Sequence, residues 1–223
     1  DFLDETAYNK VTVGNFYTTK DGITNGVNGL YSTLRGMYIQ EYLIYMCEGP
    51  SDIWIGHQGH EQWYNWTIDA TNADVRSFWY SCYKSVNQCN AVIESLENND
   101  IPGLDEDLKT RFLAESLFIR AHYFYHLVQQ FGDIPMPLKP TNSVETTAHK
   151  TKVDEVWNQI VTDLEFAVEN LPETYQASEF GHITKYAAMH HLSRVYLTLK
   201  RSDDDLKKAL NYAEQVINSG KYS

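Results

Sequence analysis

The chain has 223 residues, 22% charged and 43% hydrophobic, with a formal net charge of −12 and no run of Lys or Arg longer than two. That length suffices for a real core, and the balance is that of a soluble globular protein. The acidic excess argues against a nucleic-acid backbone or an anionic membrane surface as partner and leaves neutral small molecules, neutral polymers and proteins. With 16 Tyr and 5 Trp, some rings must lie at the surface as flat contact areas. No stretch of 18 apolar residues occurs, so no membrane-spanning helix is expected. The start DFLDETAYNK has neither Met nor a signal peptide and reads as a mature or trimmed N-terminus.

Residues 1–20 lack a helical face and read as an extended arm. A first helix is expected from about Ile23 to about Met46, with Val27, Leu30, Leu34, Tyr38 and Tyr42 near one stripe, Asp21 as its cap and Gly49-Pro50 as its stop. From Cys47 to Ala73 the periodicity disappears. This aromatic-rich loop of more than twenty residues, between helices 1 and 2, is long enough to suggest function, and its rings argue for order. A second helix follows from about Asp74 to about Glu97, striped by Phe78, Cys82, Val86, Cys89, Ile93 and Leu96. Cys82 and Cys89 would lie about 10 Å apart by helical rise, too far for a disulfide, so buried free thiols are expected, with a Cys47 pairing the lesser reading.

The third helix, within Arg111–Pro140, carries apolar residues on most of its circumference: Leu113, Leu117, Ala121, Phe124, Val128 and Phe131 in one row, Phe112, Phe118, Tyr125 and Leu127 in another. Such a helix is buried by neighbours on more than one side. Gly132 is placed to end it, and Pro135 and Pro137 make the exit a rigid extended strap. After a polar linker to about Lys150, Thr151-Lys152-Val153-Asp154 reads as a capping box for a fourth helix closed by Pro172. Thr184 caps a fifth, and Ser202 begins a sixth that Gly220 ends. Leu192, Tyr196, Ala209 and Ala213 pair large with small residues, as in tetratricopeptide units. The expected fold is all-α, one unit over 1–223 of tetratricopeptide-like helical hairpins with about six main helices.

His122 and His126 are spaced as metal ligands on one helix face, but no Glu follows the first, and packing is the preferred reading; no metal is assigned. His190 and His191 are adjacent and point apart. No Gly-rich phosphate loop or nucleophile elbow occurs, and no cofactor is implied. A glycoside hydrolase would need two acids about 5–10 Å apart across a cleft; the sequence identifies no such pair.

FLAESLFIRAHYFYHLVQQFGDIPMPLKP resembles the helix and strap of the SusD/RagB outer-membrane lipoproteins, matching at Glu115, Phe118, Arg120, Ala121, Tyr123, Phe124, Leu127, Val128, Phe131, Gly132, Asp133 and Pro135. VDEVWNQIVTDLEFAVENLP and GHITKYAAMHHLSRVYL are similar to its later helices, with His182 where Arg is commoner, and the opening FLDE and NGLYSTLR also fit. The resemblance implies a binding protein without catalysis, held on the outer-membrane surface by an N-terminal lipid anchor not present in this sequence. It implies capture of a glycan or other nutrient for a SusC-like TonB-dependent transporter. It also implies Glu115, Arg120, Phe131, Gly132, Asp133 and Pro135 as structural positions, and a second region beyond Tyr222 that usually contributes to the ligand surface. Such a C-terminal region is absent from the 223 residues, so an N-terminal part with an incomplete site is expected.

A sugar site needs flat rings for pyranose C–H faces and amides or carboxylates for hydroxyls. The loop offers Trp54, Trp63, Tyr64 and Trp66 as platforms, with Asp52, Gln58, Glu61 and Asn65 as polar partners. The bland alternative for each Trp is packing of the loop onto the helices. The competing function is a helical-repeat scaffold for proteins or peptides. Exposure of Trp54, Trp63 or Trp66 on one surface separates the two.

Overall fold

A computed structural model describes residues 16–52, 59–141, 143 and 147–222. Among these, eight α-helices appear: α1 Lys20–Tyr38, α2 Glu41–Glu48, α3 Glu61–Tyr64, α4 Ala73–Asn98, α5 Glu106–Phe131, α6 Val153–Asn170, α7 Lys185–Leu199 and α8 Asp203–Asn218. The long helices from α4 onward pack chiefly on their sequence neighbours, α4 on α5, α5 on α6, α6 on α7 and α7 on α8, as a tetratricopeptide-like array does. α1 closes over α4 and α5. Tyr17 packs on this core, and residues 1–15 of the expected arm lie outside the described residues.

α5 is the central helix. From Phe112 to Val128 nearly every side chain is buried, the outcome expected of a helix apolar around its circumference. Asp105 caps its start by accepting from the Leu108 N–H at 2.8 Å. Gly132 ends it at φ 68°, a conformation for which glycine is suited because it has no Cβ.

Two buried charges on α5 tie the array together. The Arg120 guanidinium makes two 2.8 Å bonds to the Asp163 carboxylate on α6 and a 3.1 Å bond to Asn90 Oδ1 on α4. Asn90 in turn donates to the Pro137 carbonyl at 2.8 Å, and Tyr83 donates to that of Pro135 at 2.6 Å, so the strap is fastened along α4. Glu115, with no exposed surface, accepts from Tyr31 of α1 at 2.7 Å and Tyr175 at 3.1 Å, and lies 3.0 Å from His182 Nδ1. These partners hold the 173–183 connection against α1 and α5. Both residues act as buried charges satisfied by several helices at once, which is what makes such charges tolerable.

Three expected boundaries differ. The first helix is two: α1 ends at Tyr38, and α2 starts at Glu41 in a new direction that buries Tyr42 and Met46, with Tyr42 edge-on to Phe78. Thr19, not Asp21, caps α1, its Oγ1 accepting from the Gly22 N–H at 3.1 Å. The Thr151–Asp154 capping box does not form. Instead Asp133, eighteen residues before Thr151, accepts from the Val153 N–H at 3.0 Å and from Lys152 Nζ at 2.8 Å. Those two donors hold the Asp133 carboxyl below the usual carboxylate range. A carboxyl with a depressed folded pKa stabilises the fold above its unfolded pKa, and that contribution is lost as pH falls through the folded value. Asp133→Asn is therefore expected to lower Tm at pH 7, with the difference from wild type closing as the pH is taken below 3.9; an unchanged Tm at pH 7 would show that the cap contributes nothing.

The remaining caps follow expectation. Thr184 accepts from the Ala187 N–H at 3.2 Å and Ser202 from the Asp205 N–H at 3.3 Å. Cys82 and Cys89 are buried free thiols, and Cys47 is free and exposed. On α8 the expected apolar face is only half covered: Ala209 packs under α7, whose Ser193 donates to its carbonyl at 2.7 Å, while Leu210 and Ile217 are exposed.

Candidate functional site

Among the described residues of the aromatic-rich loop, α3 holds one tryptophan and another follows just after it. α3 is one turn, and Trp63 within it is buried, only 4% exposed. Its indole N–H donates to Asp74 Oδ2 at 3.1 Å, which fixes the loop to the first turn of α4. Space for the ring depends on Gly49, where a Cβ would stand 2.9 Å from the Trp63 Cβ. Gly49 has φ −57°, so its role at the end of α2 is close approach, not a left-handed turn. His60 stacks on Tyr45 at 3.9 Å between centroids and lies 3.4 Å from the same Asp74 oxygen.

Trp66, three residues later, is 74% exposed. It sits at φ 57°, unusual for a bulky side chain and costing about 1–3 kcal/mol. The strain persists because both sides are fixed. The Thr67 N–H donates to the Gln62 carbonyl at 3.0 Å, the Asn65 N–H to that of Glu61 at 3.0 Å, and Ile68 packs on the core. Asn72 completes the frame, its Oδ1 accepting from the Asp74 and Val75 N–H groups at 2.9 and 3.1 Å while its amide donates to Gln62 at 3.0 Å. Strained backbone held by over-determined surroundings is characteristic of binding sites.

Glu61 and Asn65 are exposed one helical turn apart, Asp52 is exposed, and Tyr64 is half-buried. The Glu61 carboxyl is held below its usual range by its own backbone N–H and that of Gly59, so it stays ionised and can accept. Trp54 and Gln58 lie outside the described residues. Among its described residues the loop thus presents one exposed indole with a carboxylate and an amide beside it in sequence. Gln62, exposed and equally able to bond hydroxyls, and Tyr80, 69% exposed on α4, are surface groups that the sequence reading passed over. Gln62 could have been found from its neighbours; Tyr80 was hidden within an ordinary amphipathic helix.

His122 of α5 is buried, bonded to Tyr38 Oη at 2.9 Å and stacked near Phe118. Among the described residues no group of His, Cys, Asp or Glu is arranged to hold a metal ion.

Comparison with known proteins agrees with this architecture. Residues 1–197 match the SusD-like family described as "Starch-binding associating with outer membrane". A SusD-like protein of Formosa agariphila is 28% identical over 97% of this chain and 43% of its own length, and one of Bacteroides ovatus 25% identical over 98% and 41%. A solved structure of a laminarin-binding SusD-like protein superposes with a TM-score of 0.77 at 24% identity, covering 90% of this chain and 44% of that one. The chain spans about two-fifths of the length of these curated relatives. On the match over residues 1–197, together with the shared helical array, the chain belongs to the SusD-like family.

Proposed function

We propose that the chain captures glycan at the outer-membrane surface, without catalysis, and hands it to a TonB-dependent transporter. Trp66 is the stacking platform, and Glu61 and Asn65 bond the sugar hydroxyls. The observation that carries the reading is the exposed Trp66 ring on a strained, rigidly framed backbone. With the backbone framed, only the side-chain torsions of Trp66 need be ordered when a sugar ring docks on it. Trp63 serves the platform indirectly, by anchoring the loop through its bond to Asp74. The family's association with the outer membrane supports the location, and the laminarin-binding relative supports the ligand class. Among the described residues no helix is long and apolar enough to cross a membrane.

The test is affinity electrophoresis against a polysaccharide panel that includes laminarin. Trp66→Ala is expected to weaken binding of whichever glycan is retained by about tenfold or more, the loss of a contact worth about 1.4 kcal/mol. Trp66→Gly should weaken it equally and fold no less stably, because glycine accepts the positive φ. Retention unchanged in both variants would remove Trp66 from the site.

A further inference from the structure

We propose that the Trp66 site admits neutral glycans and turns away uronate- and sulfate-bearing ones, because Glu61 and Asp69 hold uncancelled negative charge beside the indole. The selectivity rests on the glycan-binding role of Trp66 and adds to it the class of sugar. From residue 36 to residue 75 the chain holds Glu41, Glu48, Asp52, Glu61, Asp69 and Asp74 but neither Lys nor Arg. The first cation beyond them is Arg76, exposed in the first turn of α4.

Glu61 and Asp69 are both exposed, and the local backbone keeps them near Trp66. The 3.0 Å bond from the Asn65 N–H to the Glu61 carbonyl places Glu61 one helical turn, about 6 Å, before Asn65, and Trp66 is the next residue. Asp69 follows Trp66 by three residues, a span of at most about 11 Å between Cα atoms. Charges this close act on a docked sugar through water, since the screening length is about 8 Å at physiological salt and about 30 Å at about 0.01 M.

Elsewhere in the fold carboxylates are met by cations: Asp163 by Arg120, Asp133 by Lys152, Glu179 by Arg111 and Asp154 by Arg201. Among the described residues Glu61 and Asp69 are held instead by neutral donors, Glu61 by the Gly59 N–H at 2.9 Å and Asp69 by the Thr71 hydroxyl and N–H at 2.6 and 2.8 Å. Its own N–H and that of Gly59 keep the Glu61 carboxyl below its usual range, and the Thr71 hydroxyl and N–H do the same for Asp69, so both are ionised at pH 7. A hydrogen bond from a neutral donor leaves the charge in place, whereas an ion pair would cancel most of its field. An ionised carboxylate is also acceptor-only. It takes a hydroxyl of a neutral sugar, but it has no proton for a uronate or a sulfate and repels the charge each carries.

The test titrates the full chain calorimetrically with laminarin, or whichever neutral polymer of the panel is retained, and with the same polymer after oxidation of its C6 hydroxymethyl groups to carboxylates. At about 0.01 M salt the oxidised polymer is expected to bind at least about tenfold more weakly, and the gap to narrow at about 1 M, where the screening length falls to about 3 Å. Asp69→Asn keeps an acceptor for Thr71 and removes one charge beside the site, so it should narrow the low-salt gap by about two- to threefold. Asp203→Asn, on α8, which packs chiefly on α7, changes the net charge equally and should leave the gap as it is. An oxidised polymer bound as tightly as the neutral one, a gap indifferent to salt, or equal gaps in the two variants would overturn the selectivity while leaving Trp66 as the platform. Retention of no polymer, or retention indifferent to Trp66→Ala, would instead remove the glycan-binding role and the selectivity with it.

Discussion

Arg120→Leu is expected to cost about 3–5 kcal/mol of unfolding free energy, because it leaves the Asp163 carboxylate buried without its counter-charge. For a chain of this size that is a fall in Tm of about 6–20 °C. Burial already pushes the Asp163 carboxyl up, against the pull of Arg120 and of Gln159, which donates to it at 2.7 Å. Without the guanidinium, the desolvation penalty stands almost alone. Asn90 Oδ1 loses its donor too, and with it the link from α5 through α4 to the strap. The double variant Arg120→Leu/Asp163→Leu should recover much of the loss, since a buried pair replaced by apolar side chains is often near neutral. Urea denaturation of the three proteins checks this; a single variant within 1 kcal/mol of wild type would mean that the pair is not the tie described.

Trp63→Ala is expected to destabilise by about 3–5 kcal/mol, the usual cost of emptying a buried aromatic position, and to weaken glycan binding although its ring touches no solvent-facing ligand. Its indole anchors α3 to α4 through Asp74, and Trp66 depends on that frame for its strained φ. Trp63→Phe should restore most of the packing but not the 3.1 Å bond to Asp74, so its stability and affinity should fall between those of Trp63→Ala and wild type. The comparison with Trp66→Ala is the informative one: that variant should lose binding with Tm nearly unchanged. If Trp63→Ala kept both stability and affinity, the loop would not be held as described.

Periodicity and capping chemistry are local, and they determined most of the architecture. The burial of α5 followed from its double apolar row, its end at Gly132 from the need for positive φ, and the Thr184 and Ser202 starts from hydroxyls placed before helical runs. The family was legible in the same way, because Glu115 and Arg120 are unusual residues within so apolar a helix. One correction is local, Thr19 rather than Asp21 capping α1; the other two are non-local. Nothing between Tyr38 and Glu41 breaks a helix by propensity; the chain turns there because α2 must bury Tyr42 and Met46 against α4. Lys152 has no cap of its own because Asp133, brought close by the strap, already bonds the first turn of α6.

The candidate site divides along the same line. Sequence identified the loop from its length and its rings, but could not distinguish Trp63 from Trp66, since a three-residue spacing in a segment without sustained period carries no facing rule. Only the closed fold decided it: Gly49 and Asp74, fourteen residues before Trp63 and eleven after it, form the slot that takes one indole and leaves the other in solvent. The histidines show the same limit. Their four-residue spacing on α5 was visible, but that His191 would arrive from α7 with an unpaired nitrogen depended on how two helices seventy residues apart in sequence pack. Local patterns fix which segments are helical; which side chains meet is set by tertiary packing, where burial and the pairing of buried polar groups outweigh local preference.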